Sequence, residues 1–559
     1  MKLKNIYFLL LLLVVIGAGT GCKKFVDVTN PDTLTDPSFW KNENSVRSYN
    51  WEFYNMFAGY GNGSSTNGDF YFTSFSDDQC SATFPQFPLT TAASDDDWSF
   101  DYIRKANIML ERIDQVDMSD EAKNHWKGIA HFFRALKYSQ MVMKFGGVPW
   151  FSHSMDIGDT SEIYKPRDSH QLVMDSVLAD LNFAVANLRE TDLPNTVDKD
   201  VALALKARVC LFEGTYRKYH TEFNMPDADK YLQEAKDAAA AIMAKSYSLS
   251  PNYLTAYISD NLSSDGNEIL LYKRYESGQL MHSLIAYLYS STVINGLSKS
   301  AVESYLCSDG KPITISNEYM GDDNIMDVVT NRDKRLLYSI DSTYLYYKGH
   351  VKNSLTSSTG YRVTKFLPDS NKLKAIPTAI NTNYTDAPLF WLSEVYLNYI
   401  EAAAELDEMG KYTLTQADID NTINKLRARG KVAPMTLAGH QDPGYTDPKK
   451  DADVTSLLWE IRRERRTELM MDGFRFQDLM RWKKGTYMDS NLNPDSFLGA
   501  KVPDNSEIRR NAEGYIMPYT AAQQRTFTDP KNYLSAIPTS QILLYPPAIQ
   551  TGMQNPGWE

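Results

Sequence analysis

Between residues 58 and 97 the chain gathers Tyr60, Phe70, Tyr71, Phe72, Phe84 and Phe87, together with Asp77 and Asp78, among glycine, asparagine and serine. Aromatic rings offer flat apolar platforms, and carboxylates accept hydroxyl protons. That mixture suits a ligand with apolar ring faces and hydroxyl edges, as a sugar has. Tyr272, Lys273, Arg274, Tyr275, Tyr287 and Tyr289 form a second such set near the middle of the chain. The candidate binding residues are Tyr60, Phe70, Tyr71, Phe72, Asp77, Asp78, Phe84, Phe87, Tyr275 and Tyr289.

The sequence carries no recognisable catalytic pattern. The eight histidines (125, 131, 153, 170, 220, 282, 350 and 440) are scattered, and none falls in H-E-x-x-H or beside a G-x-S-x-G turn. Gly61-Asn-Gly63 leads into neither a phosphate-binding loop nor a dinucleotide fingerprint. Asp95 to Asp97 and the Asp322-Asp323 pair carry oxygen ligands of the kind calcium takes, but no EF-hand spacing, and read as solvated surface or helix caps. A glycosidase needs only two carboxylates at a suitable separation, and nothing among the 70 Asp and Glu singles out a pair. No cofactor and no metal is assigned.

The elements that must position these residues are mostly helices. Lys2 and Lys4, an apolar run over 6–16, small residues over 17–21 and then Cys22 form a lipoprotein signal peptide over 1–21, with Cys22 as the acylated, palmitate-bearing residue of the mature chain. Gly19 stands where such signals usually have leucine, and no acidic export cluster follows Cys22. Apolar periodicity predicts helices over 38–57, 98–113, 120–145, 169–188, 200–219, 228–244, 391–409 and 416–429. Ala202, Ala204, Ala207, Ala235 and residues 238–241 place small side chains where helices would approach closely. Short strand-like runs fall at 269–272, 312–315, 344–347 and 361–364. The expected architecture is a degenerate tetratricopeptide-like helical-repeat scaffold with loop-rich insertions. Its parts are an N-terminal region over 22–265 and a C-terminal one over 266–559. Cys80, Cys210 and Cys307 make no disulfide framework.

Residues 457–482 read as a helix, a break at Gly473 and a second helix, laced by i,i+3 pairs: Glu460 with Arg463, Arg465 with Glu468, Arg475 with Asp478 and Asp478 with Arg481. Eight Lys/Arg from 460 to 484 stand beside five Asp/Glu in a chain of net charge −12, which argues against a nucleic-acid surface.

This stretch, Ile461-Arg-Arg-Glu-Arg-Arg-Thr-Glu-Leu469 through Asp472-Gly-Phe-Arg-Phe-Gln-Asp-Leu-Met-Arg-Trp482, resembles the signature of the SusD/RagB family of Bacteroidetes outer-membrane lipoproteins. Further blocks agree in order: Arg134-Ala-Leu…Phe145-Gly-Gly-Val-Pro149, Lys165-Pro-Arg-Asp168, Ala207-Arg-Val-Cys-Leu-Phe-Glu-Gly214, residues 394–402, Leu426-Arg-Ala-Arg429, and Gln554-Asn-Pro-Gly557. The resemblance implies a helical scaffold with a loop-rich ligand face. It also implies capture of oligosaccharides without cleavage, a SusC-like TonB-dependent transporter as partner, and lipid anchoring on the outer membrane, facing outward. The family's sugar site is built from loops in roughly the two aromatic-rich regions, with no motif carried over residue by residue. A peptide-capturing binder, a secreted glycan hydrolase and a helical scaffold for protein partners are the alternatives.

Overall fold

The computed structural model of the protein describes residues 39–559 apart from 74, 157, 265–266, 290–293, 343–356, 369–377, 442–446 and 504–507. The leader with Cys22, the run at 344–347 and His350 lie outside the described residues. Eleven helices carry the scaffold: α1 (Glu43–Asn50), α2 (Asp101–Ile113), α3 (Asp120–Phe145), α4 (His170–Asn187), α5 (Lys199–Tyr219), α6 (Ala228–Met243), α7 (Leu392–Glu408), α8 (Gln416–Asn421), α9 (Ile423–Gly430), α10 (Ser456–Glu468) and α11 (Arg475–Arg481). Shorter helical turns fill the connections, and among the described residues no helix is long and apolar enough to cross a membrane.

Helix starts follow from local chemistry. Ser119 accepts from the Ala122 N–H, Ser169 from Leu172, Asp198 from Val201 and Thr455 from Leu458, each satisfying a donor that has no partner within its helix. Helices α2 to α6 then pack one on the next, α6 continues onto α7, and α7 onto α10. Successive stacking of this kind is what a repeat-type scaffold needs to bury each apolar face. The small residues do what their spacing predicts. A Cβ on Gly214 of α5 would stand 2.8 Å from Leu232 Cγ of α6, and Ala235, Ala238 and Ala239 are buried.

Two antiparallel strand pairs interrupt the helices. β1 (Gln79–Ser81) pairs with β3 (Asn295–Leu297), Cys80 opposite Gly296. β2 (Ile269–Lys273) pairs with β4 (Ala387–Trp391), with Leu271 opposite Phe390, and β4 runs directly into α7. The helix expected from 391 therefore begins one residue later, because Trp391 is spent on the strand. The run at 312–315 is a turn, and that at 361–364 makes only an isolated bridge, Val363 to Ile340. The helix expected over 416–429 is broken at Thr422 (φ −127°, ψ −89°) into α8 and α9.

The charged face of α10 is buried. Glu460–Arg463 (3.1 Å) and Asp478–Arg481 (2.9 Å) form as the spacing predicts. Arg465 turns instead to Asp478 (2.9 Å), Glu468 to Arg335 (2.7 Å) and Arg429, and Arg475 to Asp77 (2.8 Å), since tertiary partners offer full desolvated hydrogen bonds that a neighbour on the same helix does not. On α7, Glu401 takes Arg481 (2.5 and 2.7 Å) and the Trp482 indole N–H (2.6 Å). Although burial works the other way, the Arg481 guanidinium holds the Glu401 carboxyl at about 2, and Arg466 with Arg475 holds Asp77 at about 2.

Removing one partner of such a pair strands a buried charge. Glu401→Ala is expected to destabilise the protein by about 3–5 kcal/mol, read as a lower urea midpoint, with Thr160→Ala in an exposed short turn as the unaffected control. Both depressed carboxyls also set an acid limit. Their contribution is complete above the ordinary values of 4.5 and 3.8 and is lost as the pH falls through those values towards about 2. Circular dichroism should show unfolding in that window, and Glu401→Gln should reduce the slope there.

Candidate functional site

A cavity of about 1030 Å³ opens beside the stacked helices α3 and α5. Its wall comes from distant parts of the chain. The loop after α1 supplies Asp69, Phe70, Phe75 and Phe87, and α3 supplies Lys137, Gln140 and Lys144 from one face. Arg208 and Phe212 come from α5, Phe390 and Trp391 from β4, Phe474 from the α10–α11 turn, Phe476 and Gln477 from α11, and Tyr533 and Trp558 from the tail.

Each contribution has a local cause. Gly473, at φ +86°, turns the chain between α10 and α11, and a Cβ there would stand 2.0 Å from the Asp69 carbonyl oxygen, so only glycine lets the loop close on the turn. That contact brings Phe474 beside Trp391, with ring centroids 5.8 Å apart and edge-on, while Phe70 stacks on Trp391 at 6.1 Å. Arg208 donates to Glu394 through two bonds of 2.6 Å and to the Leu389 carbonyl at 2.9 Å. Its guanidinium lies 4.1 Å from the Phe390 centroid and 5.1 Å from that of Phe474. Charge pairing thus locks the aromatic wall from behind.

The polar part of the wall is mixed. Asp69 accepts from the Gly59 N–H at 2.7 Å and keeps an accessible carboxyl, yet protein surrounds it closely enough that burial pushes that carboxyl above the ordinary range. Lys144 pairs with Asp95 (2.8 Å) and Asp97 (2.6 Å), which occupies the acidic run at 95–97. Asp322 accepts from Tyr515, and Asp323 pairs with Lys501 at 2.5 Å. Lys137 donates to the Asp97 carbonyl at 3.0 Å. Among the described residues no group of three or more His, Cys, Asp or Glu stands together as a metal site would require.

The sequence-predicted residues divide. Phe70 and Phe87 line the cavity. The expectation that Tyr60, Tyr71, Asp77, Asp78 and Tyr275 present side chains to a ligand is corrected, since all five are buried and none of them lines the cavity. Tyr60 donates to the Tyr257 carbonyl (3.0 Å) and Tyr275 to the Gly61 carbonyl (2.6 Å), which pins the start of the loop. Tyr71 packs against Phe72 and Phe366. Asp77 and Asp78 neutralise Arg466 and Arg475. Phe72 meets Tyr287 edge-on and Phe84 meets Tyr519, both half-buried and away from the cavity wall. Tyr289 ends the short helix Leu284–Tyr289, and its side chain lies outside the described residues. Sequence reasoning missed Arg208, Phe390, Trp391, Phe474 and Gln477. One signal was present: Phe474 and Phe476 flank Arg475 just after a glycine break, and a helix start cannot bury both rings in one core.

A family model described as SusD family matches residues 273–558, and one described as starch-binding, associating with outer membrane, matches residues 28–211. A SusD-like protein of Formosa agariphila is 24 % identical over 520 residues, covering 88 % of this chain and 94 % of its own length. A crystal structure from Bacteroides fragilis, described as a SusD-like carbohydrate binding protein, superposes with a TM-score of 0.68 at 20 % identity, covering 91 % of this chain and 99 % of the other. Surface glycan-binding protein A from Bacteroides fluxus does so at 0.59 and 17 %, covering 92 % and 100 %. The helical scaffold, the buried arginine hairpin and the matched span together place the chain: it belongs to the SusD family.

Proposed function

We propose that the protein captures oligosaccharides at the outer surface of the cell in the central cavity and passes them to a SusC-like TonB-dependent transporter in the outer membrane. The observation that carries this reading is the cavity itself. Its volume of about 1030 Å³ is at the large end of small-molecule sites, and its wall combines aromatic rings with amides and with the accessible carboxyls of Asp69 and Asp97. Rings of this kind stack on the apolar faces of sugars, and amides meet their hydroxyls. Relatives described as carbohydrate-binding and as surface glycan-binding support the same ligand class, and the family description supports association with the outer membrane.

In this reading the chain binds and does not cleave. Transport and its energy belong to the partner, and an acylated Cys22 holds the protein at the membrane. Phe70 and Phe87 remain in the proposed site from the sequence expectation, joined by Phe474, Trp391 and Gln477.

Calorimetric titration of protein starting at residue 23 against a polysaccharide and oligosaccharide panel tests capture, with reducing ends measured in the same samples. Binding without new reducing ends is expected, and Phe474→Ala should weaken it by about ten-fold or more, equivalent to 1.4 kcal/mol. New reducing ends would mean a hydrolase, and binding of peptides in place of every sugar would mean a peptide carrier. Anchoring is tested separately: Cys22→Ser should move the protein from the membrane fraction to the soluble one, and its retention after an alkaline wash would exclude a lipid anchor.

A further inference from the structure

Four of the cations on the cavity wall are paired with carboxylates. Arg208 is held by Glu394, Arg465 by Asp478, Arg481 by Glu401 and Asp478, and Lys144 by Asp95 and Asp97. Lys137 differs from them. With Gln140 and Lys144 it stands at i, i+3 and i+7 on the side of α3 that lines the cavity. It is 8 % exposed, so it is enclosed without being sealed off. Its ammonium donates to the Asp97 carbonyl at 3.0 Å, while the carboxylates of Asp95 and Asp97 are turned to Lys144. Among the described residues no carboxylate pairs with Lys137.

A charge withdrawn from water is normally met by an opposite charge, because its hydration is otherwise lost without return. An ammonium carries three donors, and the Asp97 carbonyl takes one of them. Burial pushes the Lys137 ammonium below the usual lysine range, although the carboxylates of Asp97 and Asp101 act the other way. Methionine would fill the same space without that cost. The counter-charge the protein does not supply is one that a ligand in the cavity can bring.

Asp69 constrains the rest of the ligand. Its accessible carboxyl accepts hydroxyl protons and repels anions. The cations acting on it are Lys273 and Arg208, whereas the charges acting on Lys137 are those of Asp97, Asp101, Lys144 and Asp95. The two groups therefore belong to different stretches of the wall. A sugar chain with an acid group at Lys137 and hydroxyls at Asp69 suits both, and Gln140, one turn from Lys137, offers an amide to the same sugar residue.

We infer that Lys137 is a specificity-determining residue that binds a carboxylate or sulfate on the captured sugar, so that the cavity prefers acidic oligosaccharides to their neutral counterparts. This rests on the glycan reading above and names the ligand class within it.

The experiment titrates glucuronate-bearing xylo-oligosaccharides, oligogalacturonides and sulfated galactan oligosaccharides, each beside a counterpart whose acid group is esterified or removed. Neutral gluco- and manno-oligosaccharides complete the panel. The proteins are the wild type and Lys137→Met, which keeps an unbranched apolar stem and deletes the charge; thermal melting checks that the variant is folded. The wild type is expected to bind an acidic ligand about ten-fold or more tightly than its neutral counterpart. Lys137→Met should remove that preference and leave the affinity for the neutral counterpart within about two-fold. Whether the carboxylate or the sulfate series binds tells which acid group Lys137 receives. A wild type that binds neutral sugars as tightly as acidic ones, or a folded variant that keeps the preference, would overturn the inference while the glycan reading stands. The first of these needs no variant. A wild type silent to every sugar would overturn both.

Discussion

A guanidinium taken out of water must find acceptors within hydrogen-bonding reach, and along α10 and α11 this fold meets that demand with carboxylates. Arg335 meets Asp333, Glu464 and Glu468; Arg429 meets Glu268 and Glu468; Arg481 meets Glu401 and Asp478. Buried pairs of this kind add little net stability over an apolar core, but breaking one is severe. Their effect is positional. Each arginine accepts only a partner at the right place and angle, so α7, α9, α10, the loop after α1 and the segment at 333–335 have a single arrangement that leaves no charge alone.

The cavity inherits that arrangement. Asp77 and Asp78 tie the aromatic-rich loop to Arg466 and Arg475 on either side of Gly473, and Asp472 pairs with Lys365 at 2.7 Å immediately before the turn. Phe474 and Gln477 are therefore presented from a backbone fixed at both ends. The tail is fixed by a half-buried cation. Arg167 donates to the carbonyls of Phe145, Gly147 and Met553, each at 2.6 Å, and to the Asn555 side chain at 2.9 Å. Asn555 in turn donates to the carbonyls of Phe145 and Ser535. Two nearby blocks, around Gly147 and Arg167, and a distant one around Asn555 are thus one hydrogen-bonded knot that sets Trp558 and Tyr533 on the cavity wall.

Much of the scaffold was legible because helix periodicity and caps are local. Ser119, Ser169, Asp198 and Thr455 announce their helices within four residues, and the alanines of α5 and α6 mark a close crossing. The site was less legible for a physical reason. An aromatic residue has the same sequence appearance whether its ring fills a core or lines a cavity, so Tyr60 and Tyr71 could not be told from Phe70 and Phe87. The pairing of charges failed in the same way. Local spacing finds Glu460 with Arg463, but Arg475 chooses Asp77, nearly four hundred residues away, and spacing carries no trace of that choice.

A wall drawn from six segments, each held by buried charge or by a hydrogen-bonded knot, is ordered before any ligand arrives. Under the reading proposed above, binding to such a wall spends little on freezing side chains, so the affinity reflects what the wall offers: ring faces, amides and carboxyls. The same rigidity explains why the long loop after α1 can be rich in glycine and still be part of a site. Its freedom is removed at both ends, by Tyr60, Lys273 and Tyr275 at its start and by Arg466 and Arg475 at Asp77 and Asp78. What remains for the loop is to carry Asp69 and Phe70 into the cavity at a fixed depth, and the glycine at 473 is the position that lets it do so.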